Sequence, residues 1–188
     1  MKRIPEDANA GISLRPDSTY LIAGGLGGLG LATAQWMANK GARNLALLGR
    51  NGAASGESQK IVAELEAAGV AVHIAKADIA DASSLSEAFE DIERVLPPIR
   101  GIVHAAMVLA DCLVQKLNWD GLSRVLKPKV LGAWNLHRQS LGLSLDFFVL
   151  YSSATSVLGN AGQANYAAAN IYLDALAARR RAAGLPAL

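Results

Sequence analysis

A single cysteine, Cys112, stands among 188 residues, so no disulfide can form within the chain. Such sparse cysteine suits a reducing, cytoplasmic setting. Histidine is scarce too: His73, His104 and His137 lie far apart, without zinc-type ligand spacing, which argues against a metal site. Neither sign of charge dominates, with 18 basic and 16 acidic residues and a net charge of +2. That balance gives no case for nucleic acid or a membrane surface as partner. No apolar run approaches bilayer-spanning length, and the opening "MKRIPEDANA" holds no hydrophobic signal core. Internal repeats and low-complexity tracts are absent. What the chain does have is apolar content, 52%, in a length that suits one folded domain with a substantial core.

Residues 1–18 are polar, with Pro5 and Pro16, and read as an arm or linker entering the domain. "TYLIA" (19–23) then has the short apolar form of a buried strand. "GLGLATAQWMANKG" (28–41) carries apolar residues at helical spacing and stops at a glycine. The alternation continues: strand 44–49, helix 57–69, strand 70–78, then a helix over 83–96 that Ser83 is placed to cap. A fourth strand spans 99–106, a long helical stretch 119–141, a fifth strand 144–153 and a last helix 163–183. Strand and helix alternate five times with connections too long for hairpins. The expected fold is therefore α/β, a Rossmann-like doubly wound parallel sheet with helices on both faces. "GLPAL" (184–188) starts another apolar strand, so the domain is expected to be cut before its sixth strand.

"GGLGGLG" (24–30) follows a strand and opens a helix, the context in which Gly25, Gly27 and Gly30 form a dinucleotide-binding turn. Gly24, Gly28 and Leu29 belong to the same loop, whose backbone N–H groups and helix N-terminus suit a pyrophosphate. The competing reading is a glycine-rich turn selected only for close packing. Twenty residues past Gly30, Arg50 ends the second strand, where an NAD site calls for an acid. A guanidinium there matches the 2′-phosphate of NADPH, although a solvated surface arginine is the plain alternative. Asp78, at the end of the third strand, reads equally as an acceptor for the adenine amino group or as a turn residue.

Ser153 precedes Tyr166 by thirteen residues, one closing the fifth strand and the other opening the last helix. Strand ends of such sheets face the cofactor crevice, so both hydroxyls can converge on one carbonyl oxygen. Tyr166 is followed four residues later by Asn170, on the same helical face, where a relay would want a cation.

Together, "GGLGGLG", the Ser–Tyr spacing and "YAAAN" resemble the short-chain dehydrogenase/reductase superfamily. More narrowly they resemble the ketoreductase domains of polyketide synthases and animal-type fatty acid synthase. In that subgroup Asn follows the Tyr and the Lys comes from the preceding long helix, in a segment like "KPKVLGAWNLH" (127–137). The resemblance implies a catalytic set of Ser153, Tyr166, Asn170 and Lys129, with Lys127 the weaker lysine. The chemistry agrees: Tyr166 gives its proton to the alkoxide formed as hydride reaches the carbonyl carbon. Lowering a phenol's pKa from about 10 to about 7 takes about 4 kcal/mol, within reach of a close, partly desolvated ammonium. Lys129 and Tyr166 are expected to bond the nicotinamide ribose as well. "HAAM" (104–107) is similar to the family's Asn–Ala–Ala–Gly stretch, which puts His104, Ala105 and Ala106 beside the cofactor. His104 is expected to be structural rather than a proton carrier, and Met107 departs from the family glycine, narrowing the nicotinamide side.

"LAD" (109–111) resembles the Leu–x–Asp signature of B-type ketoreductases, and Leu158 fills the position of the A-type tryptophan. Asp111 and Leu158 thus imply a D-configured β-hydroxyl product, a plain loop acid being the alternative for Asp111. The implied partners are an acyl carrier protein bearing a phosphopantetheine-tethered β-ketoacyl group and the other domains of a multifunctional synthase. Residues 19–188 are expected to form the NADPH-binding catalytic domain, with its lid beyond residue 188. Rival readings are a stand-alone reductase of a small ketone, another oxidoreductase or epimerase on the same fold, and a nucleotide-binding fragment without activity.

Overall fold

The computed structural model describes residues 14–188; most of the expected arm at 1–18 lies outside the described residues. The chain entering at Leu14 is already docked rather than linker-like. Leu14 is buried with its N–H on the Lys40 carbonyl, and Arg15 pairs with Asp146 at 2.9 Å.

Five short apolar segments form the strands β1 (Thr19–Ala23), β2 (Asn44–Leu48), β3 (Ala71–Ala75), β4 (Ile99–His104) and β5 (Phe147–Leu150). They pair in parallel in the order β3-β2-β1-β4-β5, so the connection reverses direction between β1 and β4. Helices α1 (Gly28–Asn39), α2 (Gly56–Ala67), α3 (Ala82–Val95), α4 (Trp119–Leu126), α5 (Gly132–Gln139), α6 (Thr155–Leu158) and α7 (Ala164–Ala182) fill the connections. Strand periodicity divides the core in two. Leu21, Ala23, Ala46 and Leu48 point to a layer shared with Leu85, Phe89, Leu136 and Leu173 from α3, α5 and α7. Tyr20, Ile22, Leu45 and Leu47 point the other way, against Ala34, Met37, Val62 and Leu65 of α1 and α2. Both faces of the sheet are buried, which is why these strands read as continuous apolar runs.

The elements end earlier than their apolar runs. The expected strands 70–78, 99–106 and 144–153 contract to β3, β4 and β5; residues after β3 and β4 leave the ladder to line the crevice at its C-terminal edge. Ser83 does not cap α3. Asp81 does, accepting from the N–H groups of Ser83 and Ser84 at 2.9 and 3.1 Å. The carboxylate is held below its ordinary range by the Ser83 hydroxyl and then by those backbone donors. The stretch at 119–141 is not one regular helix. A π-helical turn, Lys127–Leu131, separates α4 from α5. Pro128 lacks an N–H and cannot continue the i→i−4 ladder, and the widened turn absorbs that loss.

At the end of the chain, Leu188 N–H donates to the Phe148 carbonyl at 2.9 Å, and its carbonyl accepts from Leu150 N–H at 2.8 Å. Leu188 thus hydrogen-bonds along the outer edge of β5. Arg180 of α7 pins this segment. Its guanidinium is 1% exposed and lies 3.9 Å from the Phe148 ring centroid. It bonds the Pro186 carbonyl, His137 Nδ1 and Ser140 Oγ at 3.1, 2.9 and 3.0 Å. Among the described residues it has no carboxylate partner, and burial lowers its pKa. His137 must be neutral to accept at Nδ1, and burial followed by the Arg180 charge lowers its pKa accordingly. Replacing Arg180 with Ala leaves three polar groups without their partner and opens a cavity. Urea denaturation is expected to show a loss of roughly 3 kcal/mol; an unchanged midpoint would contradict this latch.

Candidate active site

The crevice lies where the strand order reverses, over the C-terminal ends of β1 and β4. It holds a cavity of about 630 Å3, lined on one side by Gly24, Gly27, Gly28, Leu29 and Gly30. The glycines have different reasons for being glycine. At Gly24, φ is +79° and a Cβ would lie 2.6 Å from Ala106 N. A Cβ on Gly25 would meet the Ile22 carbonyl at 2.7 Å, and one on Gly30 would collide with the Gly24 carbonyl. These three are demanded by the protein's own packing. Gly27 and Gly28 are not: a Cβ on Gly27 would meet only Gly24 O, at 3.6 Å, and one on Gly28 nothing within 4 Å. Both line the cavity beside the N-terminus of α1, so their bareness keeps open a cradle that a pyrophosphate fits.

Arg50 and Asp78 both line the cavity and are exposed. Asp78 is engaged in a local turn, its carboxylate accepting from Ala80 N–H at 2.9 Å. Ala105, Ala106 and Met107 form the far wall, together with Arg124, Lys127 and Pro128, which the sequence reading did not place there. Lys127 and Pro128 belong to the π-helical turn, which regular helical spacing does not announce. Four expected cofactor contacts do not line it: Gly25, His104, Lys129 and Tyr166. Gly25 packs behind the loop, and His104 is turned into the protein. His104 is 1% exposed, and neither ring nitrogen has a partner among the described residues. Its pKa is lowered to about 4 by burial first and by the Lys129 charge second. The backbone at Pro128 and Lys129 pulls the other way but completes no hydrogen bond, so the ring stays neutral.

Past Met107, three of the four expected catalytic residues, Lys129, Asn170 and Tyr166, are joined by direct contacts. Lys129, on the π-helical turn, is 3% exposed and reaches across to α7. Its ammonium donates to Asn170 Oδ1 at 2.8 Å and to the Tyr151 carbonyl at 2.8 Å, and lies 5.2 Å from the Tyr166 ring centroid. Asn170, fully buried, returns its amide to the Tyr166 carbonyl at 2.8 Å. Burial lowers the Lys129 pKa to about 8, against a smaller opposing effect of the Asp174 carboxylate. Two of its three N–H groups are taken by these acceptors, which leaves one to give. Ser153 lies in the turn after β5, not within the strand. Its Oγ accepts from Thr155 N–H and Thr155 Oγ1 at 3.2 and 3.0 Å, so its own proton remains available. Tyr166 donates to Met107 Sδ at 3.7 Å.

Residues 107–112 are tied to the start of α7. Cys112 N–H donates to the Gly162 carbonyl at 2.8 Å, Asn165 Nδ2 to the Ala110 carbonyl at 2.8 Å, and Gln163 Nε2 to Asp111 at 2.9 Å. Asp111 therefore sits in the loop facing Tyr166's helix, while Leu158, at the end of the short helix α6, is 82% exposed. No group of three or more potential metal ligands occurs among the described residues, and no helix there is long and apolar enough to cross a membrane.

Comparisons with known proteins agree with this geometry. The KR domain family model matches residues 18–188. The highly reducing polyketide synthase cm3B of Cordyceps militaris is 46% identical over 183 residues, covering 96% of this chain and 7% of that synthase. The lovastatin diketide synthase mokB of Monascus pilosus is 46% identical over 178 residues, covering 94% and 7%. A solved structure of A-type ketoreductases from a modular polyketide synthase superposes with a TM-score of 0.86 at 39% identity, over 95% of this chain and 38% of that one. An N-terminal ketoreductase from the macrolactin assembly line gives 0.87 at 34%, over 94% and 36%. The chain thus spans about 7% of the length of these curated relatives. With its parallel sheet and the Lys129–Asn170–Tyr166 connection, it belongs to the ketoreductase (KR) domain family of the polyketide synthases.

Proposed function

We propose that residues 19–188 form the catalytic unit that reduces the β-keto group of an acyl carrier protein-bound polyketide or fatty acyl thioester, using NADPH, within a multidomain synthase. The observation that carries this is the buried ammonium of Lys129, hydrogen-bonded to Asn170 beneath the ring of Tyr166. NADPH supplies hydride when bound. Gly27, Gly28 and the first turn of α1 would hold its pyrophosphate, and Arg50 its 2′-phosphate. Ser153 and Tyr166 polarise the ketone, and Tyr166 donates the proton that the alkoxide needs. Lys129 stabilises the resulting phenolate, and Asn170 fixes the lysine by accepting from it. Asp111 and Leu158 favour a B-type, D-configured product. A cytoplasmic location and an acyl carrier protein partner follow from the same reading.

Gly27 and Gly30 separate the two uses of the glycine loop. Gly27→Ala is expected to leave the thermal midpoint within a few degrees of wild type while weakening NADPH binding at least tenfold by fluorescence titration. Gly30→Ala should instead destabilise the chain. Equal effects of the two on stability would contradict the assignment.

The second test is NADPH oxidation with a β-ketoacyl thioester surrogate and chiral analysis of the product. Tyr166→Phe and Lys129→Met are each expected to lower kcat/KM by about a thousandfold. The lysine's pKa lies below its ordinary 10.5, so its charge is present below about pH 8 and lost above. Reduction should therefore fall as pH rises through about 8, and the D enantiomer should dominate. Activity that survives both substitutions, or an L product, would refute the site or the stereochemical assignment respectively.

A further inference from the structure

Tyr166's hydroxyl ends on sulfur. Among the described residues its hydrogen bond goes to the Met107 thioether at 3.7 Å, while Ser153 Oγ is occupied by Thr155. The two hydroxyls assigned to the ketone are therefore not bonded to one another, and a methionine side chain lies at the phenol where a ketone oxygen has to arrive. Met107 is 43% exposed and lines the cavity, so it has room to leave. A thioether is a weak acceptor on a chain with three rotatable bonds. A carbonyl oxygen is the better acceptor and takes the O–H from it.

Resting on the ketoreductase reading, we propose that Met107 is a specificity-determining residue, a displaceable plug on Tyr166 whose bulk decides which carbons can flank the ketone. Once a ketone oxygen holds the Tyr166 proton, the displaced side chain remains anchored beside Ala106 on the cavity wall, within reach of the atoms next to that oxygen. The group it then crowds is the carbon between ketone and thioester. Unsubstituted β-ketoacyl groups pass, and branched ones compete with the methionine for space. The glycine that the family resemblance would place here imposes no such limit.

The chain has three methionines, Met1, Met37 and Met107, so [13C-methyl]methionine NMR resolves the plug directly. The Met107 signal, identified by its loss in Met107→Leu, is expected to shift in Tyr166→Phe. It is expected to shift again when an unsubstituted β-ketoacyl N-acetylcysteamine thioester is added to the wild-type chain. In parallel, the ratio of kcat/KM for the α,α-dimethyl thioester to that for the unsubstituted one should rise about tenfold in Met107→Ala. In Met107→Leu, which keeps the bulk, it should stay within about twofold of wild type. A signal indifferent to Tyr166→Phe, or an unchanged ratio in Met107→Ala, would overturn the proposal. A wild-type chain that shows the Tyr166-dependent shift but reduces no thioester would overturn the ketoreductase reading, and the specificity role with it, while the contact itself stands.

Discussion

A buried ammonium organises this end of the molecule. Lys129 is almost without solvent, and its charge is tolerated because two oxygens, one from Asn170 and one from the Tyr151 backbone, replace water around it. The three groups come from the π-helical turn, from α7 and from the end of β5. Holding them within 2.8 Å contacts fixes the helix that carries Tyr166 against the sheet edge that carries Ser153. Burial first, and the same charge second, set the state of its neighbour. His104, without hydrogen-bond partners and close to a cation, is kept neutral and so adds no second charge to a dry site. A residual electrostatic penalty shows in the lysine itself, whose proton is easier to lose than that of a solvated lysine.

The nucleotide side depends on a different constraint, backbone proximity. Gly24, Gly25 and Gly30 let strand β1, helix α1 and the start of the Ala105–Ala106 segment approach more closely than any side chain permits. Gly27 and Gly28 are bare without a neighbour inside the protein to require it. Packing inside the protein thus accounts for three of these glycines and not for the other two.

Much of this was legible in the sequence because both periodicities are strong. Five apolar runs separated by amphipathic helices specify a doubly wound sheet almost by themselves, and the sheet places strand ends at one crevice. Lys129 was legible only through resemblance: nothing in its local spacing points across 41 residues to Asn170. Other features are tertiary and left no local trace. The π-helical turn coincides with Pro128, and its Lys127 lines the cavity together with Arg124 of α4. Arg180 is one of three consecutive arginines and nothing local sets it apart, yet it is the one buried among Phe148, His137 and Ser140. Asp81 outcompeted Ser83 as the α3 cap because its carboxylate lies one step before the helix and reaches two N–H groups at once. The short helix α6 is a single turn, too brief for any periodicity to announce.

The central claim is that the cation serving Tyr166 is Lys129, buried and held by Asn170, rather than a lysine on Tyr166's own helix. Titration of the lysine side chains by 13Cε NMR tests it most directly. The account predicts that the Lys129 resonance, assigned through Lys129→Arg, titrates near pH 8, well below the ordinary 10.5 of an exposed lysine. A Lys129 resonance titrating near 10.5 would contradict it.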